Sequence, residues 1–189
     1  MHKLFSIAAT AAALLASPLA AHATVYQFNA SLAGSNESTP NAAVGTGVAT
    51  LFYNDFNTLA TADDTYNFAL SAFNLTGTAT GYHIHAAAPA GANAGVVVNL
   101  ALPPFLGFIS GGSLLVGGNG VAAPNASFLS NLQASLAYVN VHTAAFGNGE
   151  IRGQLIQVAV VPEPSTYAML GAGLLMIGAI ARRRAKKAA

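Results

Sequence analysis

The chain has 189 residues, of which 53% are hydrophobic and only 7% charged, far below the roughly one-quarter charged content of ordinary soluble domains. Between residues 24 and 161 a single base, Arg152, faces Glu37, Asp55, Asp63, Asp64 and Glu150; the clustered bases that a phosphate backbone requires are absent, so nucleic acid is excluded as a partner class. There is no cysteine, which removes disulfides, thiolate metal sites and a cysteine nucleophile.

Met1-His2-Lys3, the apolar run Leu4 to Ala16, and Ala21-His22-Ala23 have the three parts of a secretory signal peptide. Residues 1–23 are therefore expected to be a signal helix, cut by signal peptidase after Ala23. A domain over 24–159 follows. Val25 to Leu32 alternates as a half-buried strand ending at the turn Gly34-Ser35-Asn36. Gly45 to Tyr53 reads as a second strand, with Val48 and either Leu51 or Phe52 turned inward. The cluster Asn54-Asp55-Phe56-Asn57-Thr58 lacks the ligand spacing and closing Glu of an EF-hand loop, so it reads as turn chemistry. Thr65 to Phe73 is a third strand, opened by Asp63-Asp64.

Gly81-Tyr82-His83-Ile84-His85 continues the β pattern. The Gly/Asn loop Pro89 to Gly95 leads from it to a strand at Val96 to Leu100. Pro103 to Asn119 is apolar but broken by two prolines and five glycines, and reads as a loop containing a weak strand, Leu114-Leu115-Val116. Leu129, Leu132 and Leu136 have helical spacing, with Ser127 or Asn125 as N-cap. Tyr138 to Thr143, the turn Gly147-Asn148-Gly149, and Glu150 to Leu155 then form strand, turn and strand. Short β runs about ten residues apart predict an all-β, antiparallel, Greek-key-like sandwich or barrel with one short helix.

Residues 160–189 form a tail. Val161-Pro162-Glu163-Pro164-Ser165 precedes an apolar run from Tyr167 to Ala181 and the cluster Arg182-Arg183-Arg184-Ala185-Lys186-Lys187. As a transmembrane helix that run would reach about 22 Å, short of a hydrocarbon core of about 30 Å unless the flanking bases snorkel. Its bases stay cytoplasmic and leave the acidic domain outside. The three parts together resemble the PEP-CTERM sorting tail of Gram-negative bacteria. That resemblance implies recognition by an exosortase, cleavage near Pro162, Glu163 and Pro164, and a final place in the cell envelope or extracellular matrix. A plain membrane anchor is the alternative.

Alternation puts His83 and His85 on one face, Asn140 and His142 on one face, and Glu150, Arg152 and Gln154 on one face. If these strands are neighbours, His83, His85, Asn140, His142, Glu150 and Arg152 converge on one polar patch. Two uses compete for it. Neutral imidazoles of His83, His85 and His142 can bind a divalent metal, with Glu150 as ligand or orienter; alternatively Glu150 with Arg152, or Arg152 with an Asn carbonyl, forms a structural hydrogen-bond cluster.

Phe28 to Glu37, Gly81 to His85 with Gly95-Val96-Val97-Val98, and Tyr138 to Thr143 followed by Gly149 to Leu155 resemble the CHRD domain, an all-β extracellular module found in bacterial secreted proteins. Ser38-Thr39-Pro40 and Ala86-Ala87-Ala88 depart from its usual pattern. Gly81 to His85 is also similar to the copper-ligand strand of copper/zinc superoxide dismutases, but this chain has neither the cysteines nor enough histidines for that bimetal site. No nucleophile elbow and no phosphate-cradling glycine motif is present. The expectation is an exported, non-enzymatic β module without a cofactor, acting on an unidentified envelope, matrix or biofilm partner. The competing expectation is a divalent-metal-binding protein or metal-dependent enzyme built on His83, His85 and His142.

Overall fold

The computed structural model describes residues 23–58, 62–161, 169–178, 180 and 183. The expected signal peptide up to His22, Ala21 included, and the sorting triplet Pro162, Glu163 and Pro164 lie outside the described residues.

Among the described residues, ten strands form one antiparallel sheet. They are β1 (Thr24–Ala33), β2 (Thr46–Asp55), β3 (Thr65–Phe73), β4 (Ala79–His85) and β5 (Val96–Asn99). After these come β6 (Leu106–Ser110), β7 (Ser113–Ala122), β8 (Tyr138–Thr143), β9 (Ile151–Gln154) and β10 (Ile156–Val161). The spatial order is β5-β4-β8-β9-β1-β2-β3-β7-β6, and β10 also pairs with β1. β9 meets the end of β1 at Ala33–Arg152, whereas β10 pairs along Val25 to Asn29. Between them Leu155 turns its N–H to the Ala137 carbonyl at 2.9 Å.

The sheet curls into a half-barrel. Its two edges approach closely enough that a Cβ placed on Gly107 in β6 would lie 3.3 Å from the Tyr82 hydroxyl in β4. Period-two alternation supplies the interior: Phe28, Ala30 and Leu32 of β1, Leu51 and Tyr53 of β2, Phe68 and Leu70 of β3, and Val139 and Val141 of β8 are all buried. Each such aliphatic or aromatic side chain contributes about 1.5–3 kcal/mol by leaving water. One end is closed by the short helix α1 (Phe128–Gln133), whose Phe128 ring lies 5.4 Å from Tyr66 and 6.2 Å from Tyr53. Buried Asp64 ties the neighbouring turn, accepting from the Tyr53 hydroxyl at 2.9 Å and the Phe56 N–H at 3.1 Å.

Four expectations differ from the structure. Val48 points outward and is 59% exposed, while Ala49, Leu51 and Tyr53 point in; the inward parity of β2 is set by its pairing with β1, not by its most hydrophobic residue. The stretch read as a loop is the hairpin β6–β7, closed by Gly111-Gly112 with Gly111 at φ +53. Such a two-residue glycine turn suits the hairpin twist. Among the glycines of β7 that looked like breakers, Gly118 makes room for a ring: a Cβ there would come within 2.6 Å of Phe105. Helix α1 stops before Leu136, because Ser135 takes a left-handed φ of +57 and ends it.

The fourth concerns the tail. Residues 169–178 are helical and expose Met169, Leu170, Leu174 and Leu175. No described helix is long and apolar enough to cross a membrane. The expected transmembrane helix is thus a short helix that is not clearly transmembrane.

Candidate metal centre

The site lies on the outer face of the sheet where β4, β8 and β9 run side by side. Antiparallel pairing sets His83 opposite Asn140, His85 opposite Tyr138, and Gly81 opposite His142. The next strand adds Arg152 opposite Asn140 and Gln154 opposite Tyr138. Gly81 is required there: a Cβ would stand 3.1 Å from the His83 ring and 3.6 Å from that of His142. The missing side chain lets the two imidazoles approach, with ring centroids 5.2 Å apart; His85 lies 5.7 Å from His83. One ring nitrogen from each of the three histidines lies within 4.8 Å of the others.

Second contacts decide which nitrogen carries the proton. His85 Nδ1 is 3.0 Å from the Ala94 carbonyl, and His142 Nδ1 is 3.0 Å from the Gly147 carbonyl. A carbonyl only accepts, so each Nδ1 donates, and in a neutral ring the lone pair then lies on Nε2. Both Nε2 atoms, and Nδ1 of His83, are buried without a hydrogen-bond partner. Burial, then the neighbouring His142 and His85, lower the His83 pKa to about 4. Burial also lowers that of His85, against the opposing pull of the Ala94 carbonyl. Both rings are therefore neutral at neutral pH, the state in which imidazole ligates metals.

Arg152 shares this face but is not a ligand. It is 1% exposed, with Nη1 donating to Asn93 Oδ1 at 3.2 Å and Nη2 to the carbonyls of Ala92 at 2.6 Å and Pro89 at 3.4 Å. Its guanidinium carbon lies 3.4 Å over the Tyr138 ring, and that ring stacks on His85 at 4.8 Å with 1° between planes. Arg152 thus pins the 89–93 loop and, through Tyr138, fixes the His85 plane. This is the expected cluster of Arg152 with an Asn carbonyl, formed with Asn93.

Glu150 does not join the patch. Fully buried, it accepts from the Thr76 N–H at 2.7 Å, the Thr76 hydroxyl at 3.1 Å and the Thr143 hydroxyl at 2.5 Å. Thr143 belongs to the inward set of β8, opposite in parity to His142. The expected convergence of Glu150 with the histidines fails because β9 begins at Ile151: Gly149, at φ +126, resets the chain before alternation starts.

The acid that does reach the patch is Glu37, which sequence reasoning left out of the site. It follows the 3-10 turn at Gly34–Asn36 and is 6% exposed. Oε2 accepts from Asn140 Nδ2 at 3.5 Å, whereas Oε1 is buried without a partner, as is Asn140 Oδ1. Burial raises its pKa to about 7, against the opposing effects of Arg152 and Asn140. Gly149 packs against both groups, and a Cβ there would lie 2.6 Å from each. Glu37, Tyr138, Asn140, His85 and His142 line one cleft of about 450 Å³.

With this geometry in place, comparison with known families is informative. A model of the CHRD domain matches residues 28–155, well over half of the chain. The chain belongs to the CHRD domain family. All three histidines, Glu37, Asn140 and Arg152 fall inside the matched CHRD segment. A PEP-CTERM protein-sorting motif matches residues 160–185, directly after it. The CHRD domain is therefore carried by a chain marked for export, for transient membrane anchoring and for recognition by an exosortase-type sorting enzyme. Neither the curated proteins nor the solved structures contain a match to it.

Proposed function

We propose that this exported CHRD domain acts by binding rather than turnover, in the cell envelope or extracellular matrix, and that it is built around a divalent transition-metal ion held by His83, His85 and His142. The observation that carries the reading is the convergence of one ring nitrogen from each of the three histidines within 4.8 Å, on rings that each also keep a buried nitrogen without a partner. Two of the rings are oriented by backbone carbonyls, as metal-ligating histidines usually are. Three imidazoles with neither thiolate nor carboxylate favour zinc or copper over calcium or magnesium. An ion at about 2.0–2.1 Å from each nitrogen needs them about 3.3 Å apart in tetrahedral geometry. Loading would therefore close the trio by up to about 1.5 Å.

The test is metal content. The full chain, stripped with EDTA and re-equilibrated with zinc or copper(II), is expected to retain one ion per chain and to ignore magnesium. The double variant His83→Ala/His142→Ala should retain none. A wild type that holds neither zinc nor copper, or a variant that holds as much, refutes the metal reading. An identifiable turnover abolished by His83→Ala would instead overturn the non-enzymatic one.

A further inference from the structure

Beside the metal cleft runs a second, larger groove of about 710 Å³, within the size range of small-ligand sites. Its wall mixes hydroxyls and amides, from Asn29 and Ser31 of β1, Ser35, Asn36 and Ser38 of the following turn and Gln154 of β9, with apolar surface from Pro40, Ala90 and Ile156. Glu37 and Ser38 line both this groove and the metal cleft, so the two adjoin. Arg152, the single base between residues 24 and 161, lies at its floor but is committed to Asn93, Ala92 and Pro89.

What the walls lack is a free base. Glu37 Oε1 and Gln154 Oε1 are buried acceptors without partners, and Asn140 Oδ1 is a third at the junction with the metal cleft. Leaving such atoms unpaired costs about 1–3 kcal/mol each; they are closed to solvent as they stand, so a ligand that brings hydrogens meets them only when the side chains turn toward the groove. An anionic polymer brings further acceptors, meets the Glu37 carboxyl, and finds no free base to pair with. An apolar ligand leaves every acceptor orphaned. Neutral sugar hydroxyls both donate and accept, as the Ser and Asn side chains do.

We propose that this groove binds a neutral, hydroxyl-rich glycan, with Glu37 at the junction accepting a hydroxyl and the metal site in the adjoining cleft contributing at one end. The groove itself does not need the ion; only the contribution of the ion rests on the metal reading above.

The experiment is affinity electrophoresis of the zinc-loaded full chain, in mild detergent, through gels containing dextran, xylan, galactomannan or alginate, with metal content measured on the same samples. At least one neutral polymer is expected to retard the protein at least tenfold more strongly than the anionic alginate. Asn29→Trp and Ser31→Trp, both at exposed outward positions of β1, should fill the groove and weaken that binding at least tenfold while metal content stays unchanged. No retardation by any neutral polymer, equal retardation by alginate, or undiminished binding in both tryptophan variants overturns the proposal. A protein that holds no metal yet still binds the neutral polymer supports the groove and refutes the ion. One that holds metal but binds no polymer does the reverse.

Discussion

Glu37 gives the sharpest test of the outer-face geometry, because its substitution by Gln has an effect whose sign depends on pH. Burial holds the carboxyl at about 7 instead of its ordinary 4.5, so the folded state binds a proton that the unfolded state releases between those values. The contribution to stability is fully present below pH 4.5 and is lost as pH rises through 7. By pH 8 the loss amounts to about 3 kcal/mol, or about 10 °C in Tm for a domain of this size. Glu37→Gln keeps the shape and removes the titration. Near pH 4.5 the variant should match wild type; at pH 8 it should be more stable by up to about 3 kcal/mol. Thermal unfolding followed by circular dichroism in EDTA is the assay, since a bound cation would itself favour the carboxylate. His83 contributes in the opposite sense: its pKa falls to about 4 on folding, so its share is present above 6.5 and is lost as pH falls toward 4. That share is common to both proteins and cancels in the comparison. A difference between variant and wild type that is the same at pH 4.5 and pH 8 would refute a buried, titrating Glu37.

The remaining predictions concern the loop anchor and the tail. Arg152→Lys keeps the charge but loses the planar fork and the Tyr138 stack, leaving loop carbonyls unpaired; urea denaturation should show a loss of about 2 kcal/mol or more, and a loss below about 0.5 would show that the loop is held otherwise. Mass spectrometry of the mature protein should find a C-terminus near Pro162, Glu163 and Pro164. A chain still ending in the Arg182 to Lys187 cluster would rule out processing of the PEP-CTERM tail.

The outer face was legible wherever a strand ran unbroken. His83 and His85 sit two apart within β4, and Asn140 and His142 two apart within β8, so alternation alone assigned each pair to a face, and antiparallel pairing then joined them. The β6–β7 hairpin was harder to read. Its signal, two glycines between apolar runs, was obscured by Pro103 and Pro104 before it and by glycines after it, of which Gly118 clears space for Phe105, a contact made only when β6 folds back on β7. Glu37 had no local pattern at all. It is an acid after a turn, and what places it in the site is Asn140, 103 residues away.

Glu150 shows why the two acids exchange roles. Counting by two from Arg152 is valid only while the backbone stays extended, and Gly149 at φ +126 ends that condition one residue before Glu150. The carboxyl is thereby turned inward, where the Thr76 N–H and two hydroxyls compensate its burial. The same glycine, lacking a Cβ, leaves on the outer face the space into which Glu37 and Asn140 pack. One backbone position thus withdraws an acid from the histidine patch and admits another. The acid withdrawn is held by three donors, whereas the acid admitted keeps one oxygen unpaired. By that asymmetry Glu150 is a structural group, and Glu37 is the carboxyl with hydrogen-bonding capacity left unused beside the histidines.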